Sequence, residues 1–567
     1  MKKKLVFSCF FQTAFVLLRI QKNNRKLTAN FKVMETNSFL KATSKGDAFT
    51  LNGAVSNSST GDLLVDQFGK AGTFRGRDLM SVFADESAIW GEDPLMALRF
   101  PFYLRMVTRK SKFMDGKETD KVQNGQGARD ESYKRLLWIA KYHPDSFYKN
   151  LWLLPIVGSW KDLWILMTMD DSLDKEKFFE VIAAGIKDDY HRDLVKKYLP
   201  RIRSFKKCHT DWATKSNRLA QDFCKYVGWT PSMYATFKST GKAHEFQQKM
   251  CAGLYDKINF STVPGRALAL MNKKQGKLGT FIERHGLSKK YTEWLKKQPV
   301  VKFTGYPYEL LRLVEDAGSG ISLAQKFTFD KQFDGLLETA KQNQGGIKGN
   351  VWCALDTSGS MMDRVVGKIS AYDICVSLGI YFSSLNEGAF KNHVIMFDAT
   401  SHVMKLSGTF TDKVQQIAKS STAWGSTNFQ SVIDEIVRIR RSNPNIPLED
   451  YPDTLLVVSD MQFNPTGNVK TNYEVAMNKL RFVFPATFIE NFKVIWWQVN
   501  GRANHDYPST IDDGGTYVFS GFDGSVVTML LGGEVKIDKK TGKKIQPTMR
   551  EVVDNALSQE VLSQVIL

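Results

Sequence analysis

Val351-Trp352-Cys353-Ala354-Leu355-Asp356-Thr357-Ser358-Gly359-Ser360 decides the fold of the C-terminal part of the chain. Its apolar residues run without alternation into a carboxylate and two hydroxyls. That is the pattern of a strand covered on both faces. Four similar runs follow at His393–Phe397, Thr454–Val458, Lys493–Val499 and Thr516–Phe519. Between them, apolar residues at helical spacing mark Ile369–Tyr381, Phe429–Arg440 and Tyr473–Leu480. Alternating strands and helices predict an α/β fold here, a doubly wound parallel sheet over residues 350–567. In such sheets ligands gather at the carboxyl ends of the strands.

Three oxygen-rich segments stand at those ends. Asp356, Ser358 and Ser360 follow the first strand, Gly425-Ser426-Thr427-Asn428 opens a later helix, and Ser459-Asp460 follows the third strand. Asp356, Ser358, Ser360, Thr427 and Asp460 together make an all-oxygen, low-charge ligand set, which suits a hard divalent cation, Mg2+ above all. An open position would accept a partner's carboxylate or a phosphate oxygen. In the bland alternative, Asp356 and Asp460 only cap helices.

The order D-x-S-x-S, then Thr, then Asp, with spacings of about 70 and 33 residues, resembles the metal-ion-dependent adhesion site of von Willebrand factor A domains. Catalytic readings fit less well. A haloacid-dehalogenase-type phosphatase needs a second Asp where Ser358 stands, and metal nucleases gather three or more carboxylates. Gly367-Lys368-Ile369 lacks the rest of a phosphate-binding loop. The expected protein is not an enzyme.

The preceding region has another character. Apolar spacing over residues 60–340 is mostly three and four, as in Tyr133, Leu136, Leu137 and Ala140, or Phe178, Phe179, Ile182 and Ile186. Pro94, Pro144, Pro155, Pro200, Pro231 and Pro264 punctuate it, several at positions suited to helix starts. Stacked helical pairs in a HEAT-like solenoid, without a strict sequence period, are the expectation. Its charge is lopsided: residues 1–350 hold 58 basic against 36 acidic side chains, and residues 351–567 hold 20 against 23. Residues 201–300 alone hold 20 against 6. Such asymmetry points to a polyanion on the helical part, nucleic acid first and an anionic membrane second.

A basic helical array followed by an A-type domain resembles the Ro autoantigen family, with its TROVE-type ring of helices, and most closely the Ro-like proteins catalogued as a domain of unknown function. Asp93-Pro94-Leu95-Met96-Ala97-Leu98 with Tyr103-Leu104-Arg105 carries the resemblance, with Gly125-Gln126-Gly127-Ala128-Arg129 and Gly158-Ser159-Trp160-Lys161-Asp162-Leu163. Val263-Pro264-Gly265-Arg266-Ala267, Tyr306-Pro307-Tyr308-Glu309-Leu310 and Ser520-Gly521-Phe522-Asp523-Gly524-Ser525 continue it. An insert at about 108–124 and the N-terminal extension depart from it. The resemblance implies a noncatalytic RNA-binding ring that takes single-stranded ends of misfolded or small noncoding RNA in its hole. It also implies Y-like RNA on the outer basic surface, and for some relatives an exoribonuclease partner. Candidate RNA contacts are Arg129, Lys134 and Arg135, beside the glycine-rich motif, and the cluster Arg201, Arg203, Lys206 and Lys207. The rival reading is a protein-interaction adaptor whose metal site binds an acidic residue of a partner.

Expected domains are an N-terminal extension (1–59), disordered or preceding the true start at Met34, the helical domain (60–340) and the A-like domain (350–567). Residues 1–26 have the outline of a secretory signal, but Gln12 and Thr13 interrupt it and no small-x-small site follows. Six scattered cysteines without C-x-x-C exclude a disulfide framework and a zinc knuckle, and fit a cytoplasmic protein. No apolar run is long enough to cross a membrane. A monomer is expected.

Overall fold

The computed structural model describes residues 46–204, 208–240, 245–420, 424–467, 470–501, 506–524, 531, 536–537 and 544–567. Met1–Asp47 form a separate unit, described only at residues 46 and 47, so the signal-like segment and Met34 lie outside the described residues.

The chain enters through a short hairpin, β1 (Ala48–Phe49) and β2 (Val55–Ser56). Residues 48–60, expected to belong to a polar extension, are instead anchored. Asn57 and Tyr507 exchange backbone hydrogen bonds of 3.0 and 2.9 Å, and the amide of Ile511 donates to Thr60 O. The polar side chains that read as a mobile lead-in are satisfied by the chain beside them. Ser59 and Thr60, for example, donate to the buried Asp66.

Helices follow: α1 (Leu63–Ala71), α2 (Leu79–Glu92), α3 (Pro94–Arg105), α4 (Arg129–Tyr142), α5 (Trp160–Met169), α6 (Lys175–Lys187), α7 (His191–Tyr198) and α8 (Asp211–Tyr226). Shorter helices lead to α9 (Pro307–Ala317) and α10 (Leu323–Gln344). Local chemistry accounts for their starts. Pro94, Pro144, Pro231 and Pro307 occupy first helical positions, and Asp62, Asp78 and Asp93 cap α1, α2 and α3. The expected all-helical region is present; the insert is an irregular arm in which Arg109 bridges to Gln123 and Lys112 to Glu118.

The C-terminal part is a six-stranded sheet of β3 (Val351–Asp356), β4 (His393–Phe397), β5 (Ser401–Lys405), β6 (Thr454–Ser459), β7 (Lys493–Gln498) and β8 (Thr516–Ser520). Its order is β8-β7-β6-β3-β4-β5. Five strands are parallel, but β5 runs antiparallel to β4, which corrects the all-parallel expectation. Ser401-His402-Val403-Met404-Lys405 is an edge strand with no fully buried residue, so it lacks the apolar run that marks the others. α11 (Ala371–Leu385), α12 (Phe410–Lys419) and α13 (Gln430–Ser442) cover the sheet, and α14 (Met549–Leu557) follows it.

The helical arc is tied to the sheet at both its ends. At the start, Ser520 Oγ of β8 accepts from Gly72 N at 3.1 Å and donates to Phe68 O at 3.0 Å. A Cβ on Gly72 would meet Ser520 O at 2.6 Å, so this approach requires glycine. At the end, Asp330 of α10 accepts from the amide and hydroxyl of Thr411, and the rings of Phe333 and Phe410 stack at 4.2 Å. α14 adds a clamp, with Arg550 reaching Asp62 at 3.0 Å and Asp93 at 2.8 Å. Asn150 pairs with the backbone of Ile566 at 2.6 and 3.0 Å.

Inside the arc, Arg135 corrects a sequence expectation. It is 0% exposed and bonded to Glu86 at 2.8 Å, Glu131 at 3.0 Å and Gln67 at 2.6 Å. It is a core ion pair and cannot touch RNA. Burial pushes the Glu86 carboxyl up to about 7 despite Arg135. Arg135→Met should cost roughly 3–5 kcal/mol in urea unfolding, because it strands buried carboxylates. In the folded state Glu86 keeps its proton up to about pH 7 and is the charged partner of Arg135 above that, whereas the unfolded chain releases the proton near pH 4.5. Stability should therefore fall as pH rises from about 4.5 to 7, and Glu86→Gln should flatten that slope in melts across the window.

Candidate functional site

The oxygen-lined site forms where β3 and β6, adjacent and parallel, both end. Asp356 is the last residue of β3 and Asp460 immediately follows β6. Asp356, Ser358, Thr427 and Asp460 are buried and Ser360 is half-buried. The first loop is held by Ser358 N donating to Asp356 Oδ1 at 2.9 Å and Ser459 Oγ donating to Asp356 Oδ2 at 2.5 Å. Ser358 Oγ and Ser360 Oγ lie 3.3 Å apart, and the Ser360 hydroxyl also bonds Asp460. Gly359 N donates to Gly425 O at 3.2 Å, joining the Thr427 loop to the first. Thr427 is placed by Asn464, whose Oδ1 accepts from Thr427 N at 3.1 Å and whose amide donates to Thr427 O at 2.9 Å. The five residues singled out from sequence thus come from three loops that touch.

Backbone strain marks the same loops. Met461 (φ 64) and Trp424 (φ 49) occupy the left-handed region without being glycine, at a cost of order 1–3 kcal/mol each.

Among the described residues, no basic side chain is hydrogen-bonded or ion-paired to Asp356 or Asp460. Burial raises the Asp356 carboxyl well above the usual range, and the neighbouring Asp460 raises it further. Burial also raises Asp460, with Asp363 adding to it and the bond from Ser360 opposing it. Two buried carboxyls surrounded by hydroxyls fit a hard divalent cation, which would relieve their repulsion. Among the described residues, no group of three or more His, Cys, Asp or Glu side chains gathers to hold a metal.

A second feature is a cavity of about 750 Å3 between the helical arc and the sheet. Arg75, Arg105, Arg109, Arg129 and Arg266 line it with Phe303, Tyr306 and Tyr381. Arg105 is committed to Asp162 at 2.7 Å, and Arg266 to Glu309. Arg75, Arg109 and Arg129 form no ion pair among the described residues. Arg75 donates to the carbonyls of Gly72 and Phe74 and lies 4.6 Å over the Phe522 ring. Arg109 donates to the carbonyls of Ile156 and Gly158. Burial lowers the pKa of both, and for Arg109 the charge of Arg105 adds to the effect. Asp130 and Asp523 also line the cavity. Five arginines thus share the lining with two acidic residues.

The RNA candidates from sequence scatter. Arg129 lines this cavity. Lys134 turns inward, donating to Asp130 at 2.7 Å and to Arg77 O. Arg201 and Arg203 are exposed but do not line the cavity. Lys206 and Lys207 lie outside the described residues. Sequence reasoning did not single out Arg75 and Arg109, nor Arg105 and Arg266, although the last two stand within the quoted motifs. No local pattern announces them, because four separate segments, around residues 75, 105–109, 129 and 266, supply the arginines.

No helix among the described residues is long and apolar enough to cross a membrane. Residues 351–564, the sheet domain, match a family model described as a domain of unknown function, DUF7788. The chain is 22% identical over 530 residues to the uncharacterized protein L728 of Acanthamoeba polyphaga mimivirus, covering 86% of this chain and 85% of that one. It is also similar to the Ro (RSR) protein of Deinococcus radiodurans over 71% of this chain and 86% of that one, with 12% identity and a TM-score of 0.32.

Mg2+ should raise the melting temperature of the full chain. At a hundredfold excess over its dissociation constant the gain is about 2.7 kcal/mol. Asp356→Ala should abolish the increment in scanning calorimetry.

Proposed function

We propose that the protein is a noncatalytic RNA-binding protein that receives single-stranded RNA ends in its arginine-lined cavity and carries a divalent cation, Mg2+ above all, in its sheet domain. One observation carries the reading: Arg75, Arg109 and Arg129 line one cavity and, among the described residues, none of them forms an ion pair, although Asp130 and Asp523 line it too. Phosphate is the anion such guanidinium groups suit best, since it accepts two parallel hydrogen bonds from each. Phe303, Tyr306 and Tyr381 supply faces and edges for bases, which stack on aromatic rings without regard to sequence. The basic surplus of the first 350 residues supports attraction of a polyanion from a distance. Arg201 and Arg203 offer a separate exposed surface for structured RNA such as Y-like RNA.

The chemistry left to the protein is binding. Arginines hold phosphates, rings orient bases, and the buried oxygen site holds an ion at the end of the sheet. Bound there, the cation would supply positive charge and an open coordination position. Asp356 and Asp460 would hold it, assisted by Ser358, Ser360 and Thr427.

A second reading, a protein-interaction adaptor, rests on the site's rim. Met362 and Trp424 stand beside the oxygen loops at 53% and 44% exposed, and Leu51 at 82%. An acidic partner residue flanked by apolar groups would suit that rim. Binding of such a partner, but not of RNA, should then disappear on chelation.

Fluorescence anisotropy with a labelled single-stranded oligoribonucleotide tests the main reading. Log affinity should fall linearly with log salt, at about −0.7 per phosphate neutralised. Arg75→Gln, Arg109→Gln and Arg129→Gln together should weaken binding at least tenfold and make the slope shallower by about 2. Affinity that stays constant in the triple variant would sink the cavity as the RNA site.

A further inference from the structure

We propose that the N-terminal hairpin is a working part of the oxygen-lined centre, with Asn52 as a positioning residue for Thr427 and for the loop that carries Asp460. This rests on the reading of that centre as a divalent cation site.

The turn Thr50-Leu51-Asn52-Gly53-Ala54 is preset before it meets anything else. Thr50 N donates to Ala54 O and Gly53 N to Thr50 O, both at 2.9 Å, while Thr50 Oγ1 accepts from Ala54 N at 3.0 Å. Gly53 takes φ +86, a conformation side-chain-bearing residues rarely adopt. The base of the hairpin is held through Ser56 and Asn57 on Tyr507.

The tip docks on the loop after Asp460. Thr50 Oγ1 donates to Phe463 O at 2.8 Å, and Leu51 N donates to Gln462 Oε1 at 2.7 Å. The side-chain amide of Asn52 sits among three oxygens. It donates to Gln462 O at 2.5 Å, with Asn464 Oδ1 at 3.4 Å and Thr427 Oγ1 at 3.5 Å.

These partners lead directly to the candidate ligands. Gln462 N donates to Asp460 Oδ1 at 3.2 Å, and Gln462 Nε2 donates to Asp460 O at 3.3 Å and to Asp506 Oδ2 at 3.0 Å. Asn464 places the backbone of Thr427. One amide group from residue 52 therefore braces two of the three loops of the centre, and it does so from a segment some 300 residues before the sheet domain begins. Groups that orient metal ligands without touching the metal commonly change affinity 10–100-fold when removed. The segment matched by DUF7788, residues 351–564, does not include this brace. The cation centre is accordingly a property of the whole chain.

The test is Mn2+ titration of the full chain, followed by electron paramagnetic resonance, with Mg2+ as competitor and metal-free melting measured in parallel. Asn52→Ala should weaken Mn2+ binding 10–100-fold and leave the metal-free melting temperature within a degree or two. Leu51→Ala, at an exposed position, should bind like wild type. Thr50→Val, which loosens the tip but keeps the Asn52 amide, should fall between. Equal affinity in Asn52→Ala and wild type would overturn the role of Asn52 while leaving the centre intact. A Thr50→Val loss as large as that of Asn52→Ala would make hairpin anchoring, not the amide, responsible, and would overturn it too. Absence of Mn2+ binding by the wild type would instead overturn the cation centre itself, and the brace with it.

Discussion

Two carboxyl groups buried side by side at the ends of neighbouring parallel strands set the character of this protein. Asp356 and Asp460 are placed there by strand pairing, with Val351 to Leu355 in register with Thr454 to Val458. Like charges in a dry environment repel, and the described groups bonded to them are hydroxyls and backbone amides. Everything nearby answers that repulsion. Serine hydroxyls bond the carboxylates, the loops carry left-handed residues at Met461 and Trp424, and a hairpin from the far end of the chain braces them.

The second constraint is closure. The helical arc leaves the sheet at β8 and returns to it at α11 and α12, so the space between arc and sheet is enclosed by segments far apart in sequence. Arginines from loops and helix ends far apart in the chain become wall residues of one cavity. Their proximity makes the cavity positive, and the same closure brings Phe303 and Tyr306 opposite Tyr381 on the sheet side. Electrostatics and shape are here consequences of a single topological fact.

Legibility differed between the two sites for a physical reason. Metal-type ligands at strand ends are reached by short loops, so their spacing follows from strand and helix lengths, and Asp356, Ser358, Ser360, Thr427 and Asp460 stand out in the text of the chain. A cavity between layers has no such spacing. Arg135 and Arg129 lie six residues apart near the same glycine-rich motif. Yet one is sealed in the core with Glu86 and Glu131, and the other faces the cavity. A basic side chain announces its charge but not the direction in which it points.

The sequence by itself determined the helical first part, the strands of the sheet and the oxygen-bearing loops at their ends, because continuous apolar runs and helical spacing are local signals. The exposed edge strand β5, the anchoring of residues 48–60, the enclosure of the arginine cavity and the brace from Asn52 were decided only by the tertiary structure. Each depends on contacts between segments tens to hundreds of residues apart, and the free energy of those contacts is written in no single stretch of chain.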